Sequence, residues 1–295
     1  MSLSIGLRAV KLDRSGGERM QQPAEMFQGS MSGANLRLAR LFNQKSGNSF
    51  IVAMDHGLVM GVQPGIENAR EALERIVACN PDAVLLSPGL LTRNGSLFAF
   101  RGAPALIVRL DFLTFVDKRL NELGEQHRLI CSPKDAVALG ADAVIMYFAL
   151  GIQNGAVFAD NAQAIAKVAR EADDIGLPLI AEATLWGSRI TNQQDPDLLA
   201  LGCRIAAELG VHAVKTEYTG NPETMAQVIA GCPVPVLTLG GAKAESESDF
   251  LAATRGAITA GAKGVIYGRN IWQADDPRRI AQAIQQTVHG STSGG

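Results

Sequence analysis

The sequence is poor in cysteine and carries almost no net charge. Its four cysteines, Cys79, Cys131, Cys203 and Cys232, lie far apart and form no Cys-x-x-Cys pair. A disulfide framework and a cysteine-based metal site are therefore not expected. The formal net charge is −2 at pH 7, and the basic residues form no stripe. We therefore predict no nucleic-acid partner.

Long hydrophobic runs are also missing from the sequence. No run approaches the ~20 apolar residues that cross a bilayer, and the first residues lack the hydrophobic core of a signal peptide. These absences predict a cytoplasmic protein with no membrane partner. The chain has instead 47% hydrophobic and 19% charged residues over 295 positions, a composition and length that suit one large domain with a substantial core.

The two ends of the chain differ from its middle. Residues 1–30 are polar and show no sustained periodicity, so we predict a flexible N-terminal extension. Residues 291–295 are predicted to form a flexible tail. The folded domain should cover residues 31–290 and begin with a short helix over residues 35–42, where apolar residues recur at helical spacing.

From residue 50 onward, short apolar runs alternate with amphipathic segments. Eight runs have the character of buried strands, at 50–54, 83–86, 105–110, 143–148, 179–183, 212–215, 235–239 and 264–267. Helical spacing is clearest between them at 66–78, 159–175, 198–209, 222–229, 249–260 and 277–288. Eight strands that alternate with helices predict an α/β fold, a closed (β/α)8 TIM barrel. The alternative is an open doubly wound sheet, but no Gly-x-Gly-x-x-Gly follows the first strand.

One of the eight runs contains a lysine. Because side chains alternate along a strand, Lys215 shares one face of the sixth strand with Ala213 and Glu217. Burying an ammonium group without a partner is unfavourable, so one interpretation is a lysine on the outer face, paired with an acid from a covering helix. The other is an inward amine that desolvation makes nucleophilic towards a carbonyl. A fall in its pKa from about 10.4 to about 7.4 would cost roughly 4 kcal/mol, which requires a rigid site.

Active sites of such barrels lie where the strands end. The polar residues at or after these ends include Asp55, His56, Tyr147 and Glu182. Asp55 is predicted to position a hydroxyl or move a proton, unless it only caps a helix or holds a loop. Glu182 either reaches the rim beside Lys215 or pairs with a basic residue outside the mouth of the barrel. Two other histidines, His127 and His289, lie in polar or terminal context and are expected on the surface.

The ends of the seventh and eighth strands are rich in glycine and basic residues. These residues are Gly240, Gly241 and Lys243 after the seventh strand, and Gly268 and Arg269 after the eighth. Barrels often bind phosphate here through backbone N–H groups, and glycine lets the backbone approach the anion. A glycine pair can also be only a tight turn. Two such endings, one with an arginine, predict a site for a phosphorylated small molecule.

Four motifs together resemble a known family. They are Phe50-Ile-Val-Ala-Met-Asp-His-Gly57, Ala213-Val-Lys-Thr216, Thr238-Leu-Gly-Gly-Ala-Lys243 and Tyr267-Gly-Arg-Asn-Ile-Trp-Gln273. From residue 35 to residue 288 the chain is similar to the archaeal-type class I fructose-bisphosphate aldolases. Their wider group includes the aminodideoxyheptulosonate synthases and the thiolase that processes a phosphorylated autoinducer. The pattern is specific for the family and does not choose one member.

The resemblance implies roles for several residues. Lys215 would form a Schiff base, and Asp55 would act as an acid or base. A substrate phosphate would be surrounded by Gly240, Gly241, Gly268 and Arg269. His56 matches a histidine to which the thiolase branch assigns a catalytic role. The resemblance also implies a large ring-like homo-oligomer, often a decamer.

The sequence departs from the family at the end of the fifth strand. The aldolases carry Trp-x-Tyr-Pro-Arg-Gly there, with the tyrosine as proton donor, whereas this chain reads Glu182-Ala-Thr-Leu-Trp-Gly187. Glu182 and Tyr147 are the available substitutes. We predict a class I aldolase that cleaves or forms a carbon–carbon bond in a phosphorylated ketose or related ketone. It should need no metal and no cofactor, because the iminium accepts the electron pair. The alternatives are thiolase-like acyl transfer to coenzyme A, and a barrel that binds a sugar phosphate without turnover.

Overall fold

The structure, a computed structural model, describes residues 32–290. The predicted flexible segments, 1–30 and 291–295, lie outside the described residues. The strands are β1 Ser49–Ala53, β2 Ala83–Leu86, β3 Ala105–Arg109, β4 Asp111–Leu113, β5 His127–Leu129, β6 Ala143–Ala149, β7 Leu179–Thr184, β8 Ala213–Thr216, β9 Val236–Leu239 and β10 Gly264–Tyr267. The helices are α1 Gly33–Ala39, α2 His56–Met60, α3 Ala69–Val77, α4 Pro88–Asn94, α5 Lys118–Asn121, α6 Pro133–Ala138, α7 Gly155–Asp174, α8 Pro196–Glu208, α9 Pro222–Ala230, α10 Glu247–Thr259, α11 Arg269–Trp272 and α12 Pro277–His289, with a 3-10 turn at Gly95–Phe98.

Eight of the strands close into a parallel barrel. Their order around the barrel is β1, β2, β3, β6, β7, β8, β9 and β10, and β10 returns to β1. The ring closes tightly at Gly264, where φ is +141° and a Cβ would lie 2.1 Å from the Ser49 carbonyl oxygen. A side chain at this position would push the first and last strands apart. The predicted (β/α)8 barrel is confirmed.

The long helices begin where the sequence supplies a capping side chain. Asp195, Asn221 and Asp276 accept hydrogen bonds from the first backbone N–H groups of α8, α9 and α12, and each helix has proline in its first turn. These caps satisfy donors that no helical carbonyl can reach. They position the helices that cover the outside of the barrel.

The apolar residues form two main layers. One lies between the strands and the outer helices, and the other fills the interior of the barrel with residues such as Ile51, Ile145 and Ala213. Leu38 and Phe42, from α1 and the turn after it, belong to the interior cluster. Helix α1 therefore closes the end of the barrel at which the strands begin, and polar side chains are left to the other end.

The predicted strands and long helices match the structure to within a few residues, but shorter elements are not predicted. The most important is an antiparallel hairpin of β4 and β5, which pairs Asp111 with Leu129 and follows β3 directly. Each strand has three residues, too few to establish a period of two. Helices α2, α4, α5, α6 and α11 are also short, with four to seven residues. Among the described residues no helix is long and apolar enough to span a membrane.

Candidate active site

A cavity of about 770 Å³ opens where the barrel strands end. Its lining includes Asp55, His56, Arg109, Tyr147, Glu182, Lys215, Glu217, Gly240, Gly241 and Arg269. These residues come from seven of the eight barrel strands or the loops that follow them. The ends of parallel strands meet on one rim, so distant parts of the sequence share one site.

Lys215 and Glu182 form an ion pair inside this cavity. They occupy paired positions on neighbouring strands, β8 and β7. The Lys215 ammonium nitrogen lies 2.6 Å from Glu182 Oε1, and the two side chains are 7% and 3% exposed. Of the two interpretations of Lys215, the structure therefore supports the inward one. Glu182 also lies inside the mouth of the barrel and not outside it.

Arg109 joins this pair to a second carboxylate. Its guanidinium donates a hydrogen bond from Nε to Asp55 Oδ2 at 2.9 Å and a short one from Nη2 to Glu182. It also lies 3.6 Å from Asp111 Oδ1. The side chain is only 1% exposed. One arginine thus lies within ion-pair distance of three buried carboxylates and donates hydrogen bonds to two of them.

The surrounding charges determine the ionisation of Asp55 and Glu182. Burial by itself raises the pKa of the Asp55 carboxyl, but the charges of Arg109, His56 and Lys215 together bring it below its ordinary value. Burial likewise raises the pKa of Glu182, and Lys215 and Arg109 lower it further than burial raises it. Both groups are carboxylates at neutral pH, able to hold a positive charge or to accept a proton.

Asp111 lies beside Arg109 and is itself contacted by His127. His127 Nε2 lies 2.9 Å from Asp111 Oδ2, and the same oxygen accepts a hydrogen bond of 2.7 Å from the Tyr147 backbone N–H. His127 is 6% exposed, so the prediction that it lies on the surface is wrong. The β4–β5 hairpin brings His127 to Asp111, which in turn contacts the backbone of β6. His289 is also not a free surface residue, because its ring contacts the Ser46 hydroxyl at 2.8 Å and Asp82 at 3.2 Å.

Tyr147 packs against the other face of the guanidinium. The Arg109 guanidinium carbon lies 3.6 Å from the centroid of the Tyr147 ring. The centroids of the Tyr147 and Trp186 rings are 5.8 Å apart. Burial raises the pKa of the Tyr147 phenol well above its ordinary value, against the lowering effect of Arg109. The phenol is therefore neutral and a weak acid at pH 7. It can orient Arg109 and donate a hydrogen bond.

His56 lies at the start of α2 and is mostly shielded from solvent. Burial lowers its pKa to about 4, although Asp55 raises it. Its Nδ1 is 3.8 Å from Asp55 Oδ1, and its ring meets Trp272 edge-on with 5.2 Å between centroids. A Cβ at Gly268 would lie 2.4 Å from His56 Cε1. Gly268 therefore makes room for a neutral histidine, a role separate from the predicted contact with phosphate.

The predicted phosphate residues are only partly brought together. Gly240, Gly241 and Arg269 line the cavity. Gly241 has φ of +63° with open space where a Cβ would point, and Arg269 Nε is buried without a hydrogen-bond partner among the described residues. Lys243 is exposed and donates to the Gln273 carbonyl at 2.6 Å, away from the cavity lining.

Asn270 holds the glycine loop in shape. Its amide donates hydrogen bonds to the carbonyl oxygens of Gly240 and Ala242, both at 3.0 Å, and its oxygen accepts one from the Ala244 N–H at 2.8 Å. The tertiary structure, not a local pattern, reveals this role. The sequence signal is only a polar residue directly after Arg269 in a strand ending.

Glu217 is a further carboxyl group in the lining. It lies two residues after Lys215 and is 6% exposed. Neither of its oxygens accepts a hydrogen bond of standard geometry from the described part of the chain. Its alternation with Lys215 is visible in the sequence, but its lack of a partner is not.

Comparison with known proteins matches residues 49–274 to the model of the DeoC/LacD family aldolase. An uncharacterized aldolase of Saccharolobus solfataricus is 38% identical over 88% of this chain and 95% of its own length. A 2-amino-4,5-dihydroxy-6-oxo-7-(phosphonooxy)heptanoate synthase of Streptomyces griseus is 32% identical over 88% of this chain and 92% of its own. The solved structure of an archaeal fructose-1,6-bisphosphate aldolase has its catalytic lysine covalently bound to the carbinolamine intermediate of the substrate. It is 30% identical, with a TM-score of 0.74 over 86% of this chain and 99% of that one.

Proposed function

Because this chain belongs to the DeoC/LacD family of aldolases, we propose that it is a class I aldolase that uses Lys215 to cleave or form a carbon–carbon bond in a phosphorylated ketose or related ketone. The observation that carries the proposal is the inward Lys215, paired with Glu182 inside the cavity. An amine held there by a rigid ion-pair network is positioned to attack a substrate carbonyl.

Glu182 is positioned to assist the attack of Lys215. At 2.6 Å from the ammonium nitrogen, its carboxylate is the nearest described acceptor for the proton that the amine must lose. After the amine has condensed with a carbonyl, the iminium carries the positive charge in the same place. The carboxylate then stabilises this iminium at short range in a site of low dielectric constant.

Asp55 has a related role on the neighbouring part of the rim. Arg109 holds one of its oxygens at 2.9 Å, and the carboxylate lines the cavity. A carboxylate fixed in this way can accept a hydrogen bond from a substrate hydroxyl and orient it towards Lys215. His56, neutral and beside Asp55, can share this contact without adding a charge.

The phosphate of the substrate fits the glycine loop and Arg269. Gly240 and Gly241 line the cavity, and a buried Arg269 Nε without a hydrogen-bond partner among residues 32–290 belongs to a residue of the same lining. Arginine and exposed backbone N–H groups are the usual partners of a phosphate. Lys243 is left out of this proposal because its ammonium group is bound to the Gln273 carbonyl.

Borohydride trapping tests the proposed function. The protein is incubated with dihydroxyacetone phosphate, fructose 1-phosphate or fructose 1,6-bisphosphate, reduced with borohydride and analysed by peptide mass spectrometry. We expect a reduced adduct on Lys215 and aldol cleavage of at least one ketose phosphate. Cleavage only with coenzyme A would favour the thiolase-like reaction. Binding without an adduct would favour a barrel that does not catalyse a reaction.

Arg269→Ala tests the phosphate site. We expect KM for a phosphorylated substrate to rise roughly 30-fold, because a lost hydrogen bond to a charged group is worth about 2 kcal/mol. Arg255→Ala, at an exposed position on α10, is the matched control and should leave KM unchanged. An unchanged KM in Arg269→Ala, or equal activity on the unphosphorylated sugar, would contradict the phosphate assignment.

Glu182→Gln tests the carboxylate that contacts Lys215. The amide keeps the size of the side chain but can neither accept the ammonium proton nor balance the iminium. We expect turnover to fall about 100-fold or more while borohydride still traps an adduct on Lys215. The control Glu171→Gln alters an exposed carboxylate on α7 that pairs with Lys167. Near-normal kcat in Glu182→Gln would transfer the proton-transfer role to Asp55 or Tyr147.

A further inference from the structure

Glu217 differs from every other carboxylate that the structure brings to this site. Asp55, Asp111 and Glu182 are each held by Arg109. Glu217 lies two residues after Lys215, just past the end of β8, lines the cavity and is only 6% exposed, yet neither oxygen has a standard hydrogen-bond partner among residues 32–290. A buried carboxyl without a partner is unfavourable and uncommon. Its position beside the nucleophile indicates a function in the reaction.

The surroundings of Glu217 keep its carboxyl group protonated. Burial, with a smaller effect from Glu182, raises the pKa of Glu217 to about 8, against the lowering effects of its own backbone N–H, Lys215 and Trp186. On the helix side, burial raises the pKa of the Cys203 thiol to about 12, so that group is neutral over the same range. Near pH 7 Glu217 can therefore give up a proton and take it back.

The other candidates on the rim are less suited to donating a proton. Asp55 and Glu182 are held as carboxylates, and the Tyr147 phenol has a pKa well above its ordinary value. His56, with a pKa of about 4, has lost its donor charge at neutral pH. Thr184 stands where the related aldolases carry a tyrosine, and its hydroxyl cannot supply the proton. A carboxylic acid next to Lys215 can supply it.

We propose that Glu217 is the catalytic residue that carries protons between the Lys215 adduct and the substrate hydroxyl. The inference rests on the proposed function and adds a group to the same site. In this scheme Glu182 balances the positive charge on the Lys215 nitrogen, and Glu217 transfers the protons at the oxygen and carbon atoms of the substrate.

The proton balance of cleavage closes with this one group. The Lys215 amine adds to the ketone, and the nitrogen proton moves to the oxygen to give a carbinolamine. Glu217 protonates that hydroxyl, the C–O bond breaks, water leaves and the iminium forms. The Glu217 carboxylate then takes the proton of the hydroxyl on the far carbon of the scissile bond. That bond breaks, the aldehyde leaves and its electron pair converts the iminium into an enamine.

The return half of the cycle restores the starting state. Glu217 protonates the enamine carbon, which regenerates the iminium. Water adds to the iminium carbon as Glu217 accepts one of its protons. The carbinolamine then collapses. The C–N bond breaks, the ketone leaves, and Lys215 is again an amine. The hydroxyl proton of the carbinolamine ends on the Lys215 nitrogen, and Glu217 is protonated as at the start because it has taken a proton from the added water.

The test compares Glu217→Gln with the wild-type protein, with Glu217→Asp and with the surface control Glu171→Gln. Fructose 1,6-bisphosphate and fructose 1-phosphate are used for cleavage, and dihydroxyacetone phosphate is used for borohydride trapping. We expect kcat of Glu217→Gln to fall about 100-fold or more at pH 7, with slower adduct formation on Lys215. Wild-type kcat should fall above about pH 8, where the acid is lost. The residual kcat of Glu217→Gln should not show this alkaline fall, whereas kcat of Glu217→Asp should still show it.

Infrared titration adds a readout that does not depend on turnover. The C=O band of a protonated carboxylic acid should disappear from the wild-type spectrum with a midpoint near pH 8 and be missing from Glu217→Gln. If the wild-type protein forms no adduct with any of the three compounds, the proposed function fails and this inference fails with it. If the wild type forms adducts and turns over, but Glu217→Gln keeps its rate and its alkaline limb, only the assignment of Glu217 is overturned.

Discussion

Lys215→Met should abolish the borohydride-stable adduct and lower kcat/KM by roughly 10⁴-fold or more, because no other group can replace the covalent step. Methionine has a similar length and no amine. Steady-state cleavage of a ketose phosphate and peptide mass spectrometry after reduction measure the two effects. Labelling at another residue, or undiminished turnover in the variant, would contradict the assignment of Lys215.

The loss of activity in Lys215→Met should not come from unfolding. The variant removes one partner of Glu182, but Arg109 still donates to that carboxylate. We therefore expect circular dichroism spectra like those of the wild type. Lys167→Met is the matched control, because Lys167 is exposed on α7 and pairs with Glu171 at 3.7 Å, away from the cavity lining. It should leave both the adduct on Lys215 and the rate unchanged.

Arg109→Met should have the largest effect on stability. It leaves the buried carboxylates of Asp55, Asp111 and Glu182 without the arginine that they share. Breaking a buried ion pair by removing one partner costs about 3–5 kcal/mol, which for a domain of this size lowers Tm by roughly 10 °C. Denaturant and thermal unfolding measure the loss. The control Arg204→Met, which removes an exposed partner of Glu208 on α8, should change stability by less than about 0.5 kcal/mol.

The loss of stability in Arg109→Met should depend on pH in a defined direction. Burial raises the pKa values of Asp55 and Glu182, but Arg109 contributes to lowering both below their ordinary values. The stabilisation by lowered carboxyl pKa values is present above the pKa of the unfolded chain, near pH 4, and is lost as pH falls through the folded-state values. The difference in free energy of unfolding between wild type and variant should therefore be largest near pH 7 and narrow below about pH 4. A deficit that is constant with pH would indicate lost packing instead of lost charge pairing.

The fold and the position of the nucleophile follow from local patterns in the sequence. Eight apolar runs at regular intervals predict the barrel, since each needs only the composition of four to six consecutive residues. That Lys215 shares a face with Ala213 also follows locally, from the alternation of side chains along a strand. The tertiary structure shows that this face is the inward one, because Ala213 packs in the barrel interior. Asp55, Glu182 and Arg269 are found by the rule that strand ends form the site.

The chemistry of the site follows from distances that the sequence does not contain. Arg109 meets Asp55 and Glu182 across 54 and 73 positions of the chain, and no local pattern states which charge neutralises which. The same is true of His127, which two three-residue strands bring to Asp111, and of Lys243, which contacts Gln273 instead of the cavity. The sequence by itself determined the barrel and the strand ends that form the rim, and it left an inward and an outward interpretation of Lys215. Only the tertiary structure decided that Glu182 is a carboxylate paired with Lys215 and Arg109 while Glu217 is held protonated, because the ionisation of a buried carboxyl depends on the groups that surround it in space.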